Sequence, residues 1–256
     1  MIKLYNKNCI DVLKDLKNKS IDFILIDPPY MQNFKTKIHN DFKNENVKGK
    51  FAKYKTFEDG FFKTKKLIND FFKLAHEKLK DNKNLMLFTG SKRIPDFIEI
   101  AKKNKFIYED IIVWHKNNKH MVQYFTNCCK TNEYILLFRK SKQKLQPANN
   151  FIYDFYQIDN ISGIKKNHPN AKPLELIDIF IKLYCKKGDV VFDGFMGGGV
   201  IGYVCKQNNI NYIGCEIDNK FFEVADNMIN NNIYLSYFKE NKTIKRELPL
   251  FTYMGG

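Results

Sequence analysis

The run Ile21-Asp22-Phe23-Ile24-Leu25-Ile26-Asp27-Pro28-Pro29-Tyr30 decides the architecture of this chain. Phe23 to Ile26 has the length and the β-branched and aromatic content of a strand buried on both faces. Pro28 and Pro29 stop it, because neither offers a backbone N–H to a sheet ladder and each pushes its predecessor towards extended geometry. An acid, two rigid carbonyls and an aromatic ring are thereby presented at the carboxyl end of a parallel strand, where open α/β sheets bind ligands.

On the N-terminal side, Ile2 to Tyr5 reads as a short strand, and Cys9 to Leu16 has the i, i+3, i+4 apolar spacing of an amphipathic helix. Asn8 between them is suited to capping that helix. On the C-terminal side the composition changes: residues 31–60 interleave Lys35, Lys37, Lys43, Lys48, Lys50, Lys53 and Lys55 with Phe34, Phe42, Phe51, Tyr54 and Phe57, without a period. This predicts a long basic loop or mobile flap, a composition suited to phosphates and unstacked bases and equally to a solvated loop.

Beyond it the spacing predicts a helix over 61–80, a strand over 85–88, a helix from Pro95 to Lys103, and strands over 106–114 and 132–138. Alternation of strands and helices argues for a largely parallel, doubly wound sheet within a single domain spanning 1–256. Periodicity is lost over 139–167, where Phe151, Tyr153, Phe155 and Tyr156 cluster. Its length favours a small recognition insert over a plain connection. A helix over 174–185 follows.

The second motif is Val190-Val191-Phe192-Asp193-Gly194-Phe195-Met196-Gly197-Gly198-Gly199, a strand entering a glycine turn and then a helix over 200–207. Such glycines let the backbone approach a bulky ligand, and the helix N-terminus adds positive potential. The next strand, 212–215, ends in Glu216, where a Rossmann-type site holds ribose hydroxyls. Gly197-x-Gly199-x-x-Gly202 also matches the dinucleotide pattern. Asp193, placed before the glycines, suits an amine-bearing ligand such as S-adenosylmethionine better than a pyrophosphate.

The formal net charge of +15 points to a polyanionic partner, although codon bias towards Lys and Asn accounts for part of it. Six cysteines lie scattered without metal-ligand spacing, so neither a zinc site nor a disulfide framework is legible and no metal is expected. No apolar segment approaches the ~20 residues of a membrane span. The reduced cytoplasm is the expected location.

Asp27-Pro28-Pro29-Tyr30 followed by Phe195-Met196-Gly197-Gly198-Gly199 resembles the DNA amino-group methyltransferases of the β arrangement, in which a DPPY motif precedes an FxGxG motif. The resemblance implies a Rossmann-like S-adenosylmethionine-dependent methyltransferase fold with permuted motif order, its sheet mostly parallel with helices on both faces. It implies that Asp27 and the Pro28 carbonyl accept hydrogen bonds from the target amino group, with Pro29 holding the turn and Tyr30 stacking on a base flipped from the duplex. Asp193, Phe195, Gly197 and Gly199 fall to the methionine part of the cofactor and Glu216 to its ribose. His168-Pro169-Asn170-Ala171-Lys172-Pro173 looks like the family's HPTQKP stretch, placing Lys172 near the cofactor carboxylate; a surface cation is the plain alternative. Asn8 stands where the family has an acid near the adenine, with the Cys9 amide beside it.

This sequence departs from the family at Gly194, Gly198 and Val200, where a proline, a serine and a threonine are usual, and at Asn170-Ala171. Asp in the DPPY position is more usual in the N6-adenine enzymes, so adenine in a specific duplex sequence is the expected target. N4-cytosine methylation and DNA binding by a catalytically weak homologue are the alternatives. The family implies double-stranded DNA as partner, with a cognate restriction enzyme and a homodimer as further expectations.

Overall fold

The computed structural model describes residues 1–29, 61–116, 122–123, 128–129, 131–142, 152–159 and 172–231. In chain order the elements are β1 (Ile2–Tyr5), α1 (Cys9–Asp15), β2 (Ile21–Ile26), α2 (Phe61–Lys78), β3 (Leu79–Thr89), α3 (Ile94–Lys103), β4 (Ile107–His115), β5 (Val122–Gln123), β6 (Cys128–Cys129), β7 (Asn132–Arg139), β8 (Phe155–Gln157), α4 (Leu174–Tyr184), β9 (Val190–Asp193), α5 (Val200–Gln207), β10 (Asn211–Cys215) and α6 (Asn219–Asn231). Eight strands form one sheet in the order β1-β10-β9-β2-β3-β7-β4-β8, while β5 and β6 pair separately.

Every residue of β2 is buried, as its unbroken apolar run requires. Parallel β9 and β3 flank it, and its side chains alternate between two cores. Phe23 and Leu25 join Met86, Phe88 and the apolar faces of α4 and α5, whereas Ile24 and Ile26 join Leu85, Leu87 and the faces of α1, α2 and α3. The helices thus cover both sides of the sheet. Among the described residues no helix is long and apolar enough to cross a membrane.

Two expectations are corrected at α2 and β3. The helix stops at Lys78 instead of Lys80, and the strand begins at Leu79, well before Leu85. The polar run Lys80-Asp81-Asn82-Lys83-Asn84 looks like a loop in the sequence. It is carried into the sheet by ion pairs, since Lys80 and Lys83 reach Asp22 of β2 at 2.8 and 3.4 Å. Asn82 takes a left-handed conformation, φ 60°, beside the register shift between Ile21 and Phe23.

The sheet is mostly parallel, with one reversal: β7 runs antiparallel to both β3 and β4. The start of β7 therefore lies at the same edge of the sheet as the carboxyl ends of the parallel strands. Part of the aperiodic 139–167 stretch joins the sheet as β8, parallel to β4 at the outer edge, where the Trp114 indole donates to the Ile158 carbonyl at 2.8 Å. Residues 31–60, Tyr30 and His168 to Ala171 lie outside the described residues.

Candidate active site

Strands β2, β9 and β10 are parallel and gather their carboxyl ends, so the acids that follow or end them, Asp27, Asp193 and Glu216, meet along one edge. The stop at Pro28 and Pro29 fixes where the first of these emerges; Pro28 is buried and Pro29 partly so.

Asp27 does not stand alone. Its Oδ2 lies 2.9 Å from the Lys172 ammonium, which also meets Glu133 Oε2 at 3.0 Å. Glu133 Oε1 in turn lies 2.7 Å from the Lys116 ammonium. Each lysine rests on an aromatic face, Lys172 on Phe88 at 5.0 Å and Lys116 on Trp114 at 4.4 Å. The other Asp27 oxygen, Oδ1, is buried and has no hydrogen-bond partner among the described residues. Leaving a buried acceptor unpaired costs about 1–3 kcal/mol, and more when it is charged. A donor brought by a ligand would recover that cost. Burial raises the Asp27 pKa, against the pull of Lys172 and with a further push from Glu133. Glu133 is held down: burial opposes its charge, but Lys172 and Lys116 outweigh it.

In the second half of the site, Asp193 is 1% exposed. Its Oδ1 accepts the Phe195 amide and its Oδ2 the Tyr212 hydroxyl, both at 3.0 Å. Burial pushes its carboxyl up to about 7, against these two donors and helped by the charges of Asp27 and Glu216. The Tyr212 ring reaches Asp193 because Gly202 and Gly214 leave room: a Cβ on either would come within 2.6 Å of it. Glu216 braces the turn, its Oε2 accepting the Gly197 amide and its Oε1 the Asp218 amide, both at 2.9 Å. Burial raises its pKa despite these amides.

The departure at Gly194 has a packing explanation. A Cβ at Gly194 would sit 2.6 Å from the Phe71 ring of α2, so in this chain Phe71 fills the space a proline would use. That ring also lies 5.4 Å from Phe195. Gly199, at φ 86°, is the N-cap of α5, and a Cβ there would meet the Ala225 backbone at 2.9 Å. Val200 is buried in the adjoining core.

Asn8 is a helix cap: its side chain accepts the Ile10 amide at 3.0 Å. Cys9 beside it is buried, which pushes its thiol up to about 12. The surface-cation reading of Lys172 does not hold, since it is 5% exposed and bridges two acids. Sequence reasoning passed over Glu133 and Lys116. The available signal was a single charge at the start of the apolar strand 132–139 and another just past the end of 107–115.

Residues 21–227 match a family described as DNA methylase. The Type II methyltransferase M.HpaI of Haemophilus parainfluenzae is 26% identical over 251 residues, covering 87% of this chain and 72% of that protein. M2.MboI of Moraxella bovis is 27% identical over 245 residues, covering 87% of this chain and 85% of that protein. Among solved structures, the M1.HpyAVI–SAM complex matches with a TM-score of 0.66 at 25% identity, covering 90% of this chain and 100% of that one. The cytosine-N4-specific PvuII DNA methyltransferase matches with a TM-score of 0.68 at 17% identity, over 93% and 90% of the two chains, and shares the fold.

Proposed function

Because this chain belongs to the DNA methylase family, we propose that it methylates the exocyclic N6 of an adenine within a specific sequence of double-stranded DNA. Its cofactor is S-adenosylmethionine, which supplies a methyl group already activated by a sulfonium. The residues present fit that group chemically. Glu216 retains acceptor capacity for ribose hydroxyls beyond the two amides it holds, Asp193 is an acid for the methionine amine, and the turn through Gly197 and Gly199 presents backbone without side-chain bulk. Asn8, Cys9 and Phe195 would flank the same cofactor.

The single observation that carries the reading is Asp27 Oδ1, a buried carboxylate oxygen without a partner among the described residues, at the edge where the cofactor acids converge. An aromatic amine is a poor nucleophile because its lone pair is delocalised into the ring. A carboxylate that accepts one of its hydrogens favours the tetrahedral form and receives the proton as the nitrogen becomes positive. Pro28 supplies a second acceptor through its carbonyl, Pro29 stiffens the turn, and Tyr30 stacks on the displaced base, offsetting part of the unstacking cost of a few kcal/mol. Nothing in this step requires a nucleophilic cysteine; Cys9, Cys185, Cys205 and Cys215 are all buried. A cognate restriction enzyme as counterpart belongs to the same proposal.

The test is transfer of labelled methyl from S-adenosylmethionine to unmethylated genomic DNA, followed by nucleoside analysis. N6-methyl-2′-deoxyadenosine is the expected product, and Asp27→Asn is expected to lower the rate by roughly 10²–10⁴-fold. Label in N4-methylcytosine would replace the base assignment, and no label in DNA would overturn the proposal.

A further inference from the structure

Asp27, Lys172, Glu133 and Lys116 form a chain of alternating charge, linked at 2.9, 3.0 and 2.7 Å. Both lysine side chains are 6% exposed, and the acids are about one fifth exposed. Four charges drawn this far from water are a poor device for stability, since desolvation consumes most of what the pairing returns and apolar residues of similar volume do as well. The arrangement is also built from four separate pieces of chain. Asp27 follows β2, Lys116 follows β4, Glu133 opens the reversed strand β7, and Lys172 precedes α4.

We propose that Glu133 is a positioning residue for methyl transfer: by sharing the Lys172 ammonium, it fixes one oxygen of Asp27 and prevents that cation from neutralising the carboxylate, leaving Oδ1 for the substrate amine. Lys172 alone would lock Asp27 and weaken it as an acceptor. Glu133 draws off part of that positive charge, and Lys116 keeps Glu133 ionised. The quartet sums to zero with both acids charged. This inference rests on Asp27 as the acceptor of the target amine.

The geometry makes the sign of each perturbation distinct. Asp27 faces Lys172 ahead of α4, Glu133 of β7, Lys116 after β4, and Asp193 of β9; the two lysines draw its pKa down and Glu133 pushes it up. Removing the Glu133 charge therefore makes Asp27 easier to ionise and a weaker base. Removing either lysine charge does the reverse.

The experiment is the pH dependence of single-turnover methyl transfer to unmethylated genomic DNA by the full chain, with cofactor affinity measured by calorimetry. Glu133→Gln is expected to lower the plateau rate about tenfold and move the acid limb down by about one pH unit, with cofactor affinity within about twofold of wild type. Lys172→Met moves the limb up. Adding Lys116→Met to Glu133→Gln restores neutrality and returns it towards wild type. Should Glu133→Gln fail to fold, Lys116→Met alone replaces it and must move the limb up. Limbs that stay in place, or that move the same way in Glu133→Gln and Lys172→Met, overturn the inference. If wild type labels DNA and Asp27→Asn does not, such a result removes the role of Glu133 alone. If wild type labels no DNA, the reading of Asp27 falls and this inference with it.

Discussion

Tyr212→Phe removes one oxygen from the Asp193 half of the candidate site. The ring packs into the space left by Gly202 and Gly214, so a phenyl group fills the same volume. What is lost is the 3.0 Å hydrogen bond to Asp193 Oδ2. Asp193 titrates at about 7 in the folded chain, above its ordinary 3.8. Its folded-state pKa is raised, so its contribution to stability is fully present below about pH 4 and is lost as pH rises through 7. This hydrogen bond contributes about 3 kcal/mol to the charged carboxylate and about 1 kcal/mol to the neutral carboxyl, and losing that difference of about 2 kcal/mol moves the carboxyl up by about 1.5 units. By linkage the variant is then weaker than wild type by about 2 kcal/mol at pH 9, about 0.8 at pH 7.5 and close to zero at pH 5. A pH-independent loss of about 1 kcal/mol for the neutral hydrogen bond adds to each. At about 2–4 °C per kcal/mol, the gap in melting temperature should widen by about 4–8 °C between pH 5 and pH 9. Thermal denaturation across that range by circular dichroism reads it. A gap that stays constant with pH would refute the hydrogen bond to an ionisable Asp193.

Gly194→Ala should destabilise by about 1–3 kcal/mol in urea unfolding, because its Cβ meets the Phe71 ring. In a Phe71→Leu background the same change should cost about 1 kcal/mol less, and strict additivity would contradict the packing account. Gly199→Ala combines a left-handed backbone with a Cβ 2.9 Å from Ala225, so a loss of roughly 3 kcal/mol is expected. A urea midpoint within error of wild type would show that neither constraint binds.

The strand over 21–26, the glycine turn at 194–199 and the alternation of strands and helices are legible in the sequence because each is a local pattern with a local cause. The apolar run of β2 must be buried, prolines must end it, and a left-handed residue ahead of α5 favours glycine. Strand direction has no such signature. The residues of β7 report β-propensity but not that the strand runs backwards, and it is that reversal which delivers Glu133 to the site. Lys116 is an unremarkable lysine in a chain with 43 basic residues, and only tertiary contact distinguishes it. Gly194 shows the reverse problem. It looks like a defect when compared with the family motif, until Phe71, more than a hundred residues away in sequence, is seen to occupy the missing volume. Helix α6 was not singled out either, although Asp218 caps it by accepting the Lys220 and Phe221 amides at 2.9 and 3.2 Å.

Trp114 is the only tryptophan in the chain, is 1% exposed, and has the Lys116 ammonium 4.4 Å above its ring. Exciting an indole moves electron density across its two rings, so its emission colour depends on the local electric field. The field at Trp114 is set by the same Lys116 that anchors Glu133, three links from Asp27 along the charge chain. The protein therefore carries an internal field probe wired to Asp27. Titrating Asp27, exchanging its neighbours or bringing a donor to Oδ1 should each shift native fluorescence without any label, and each can be followed in real time.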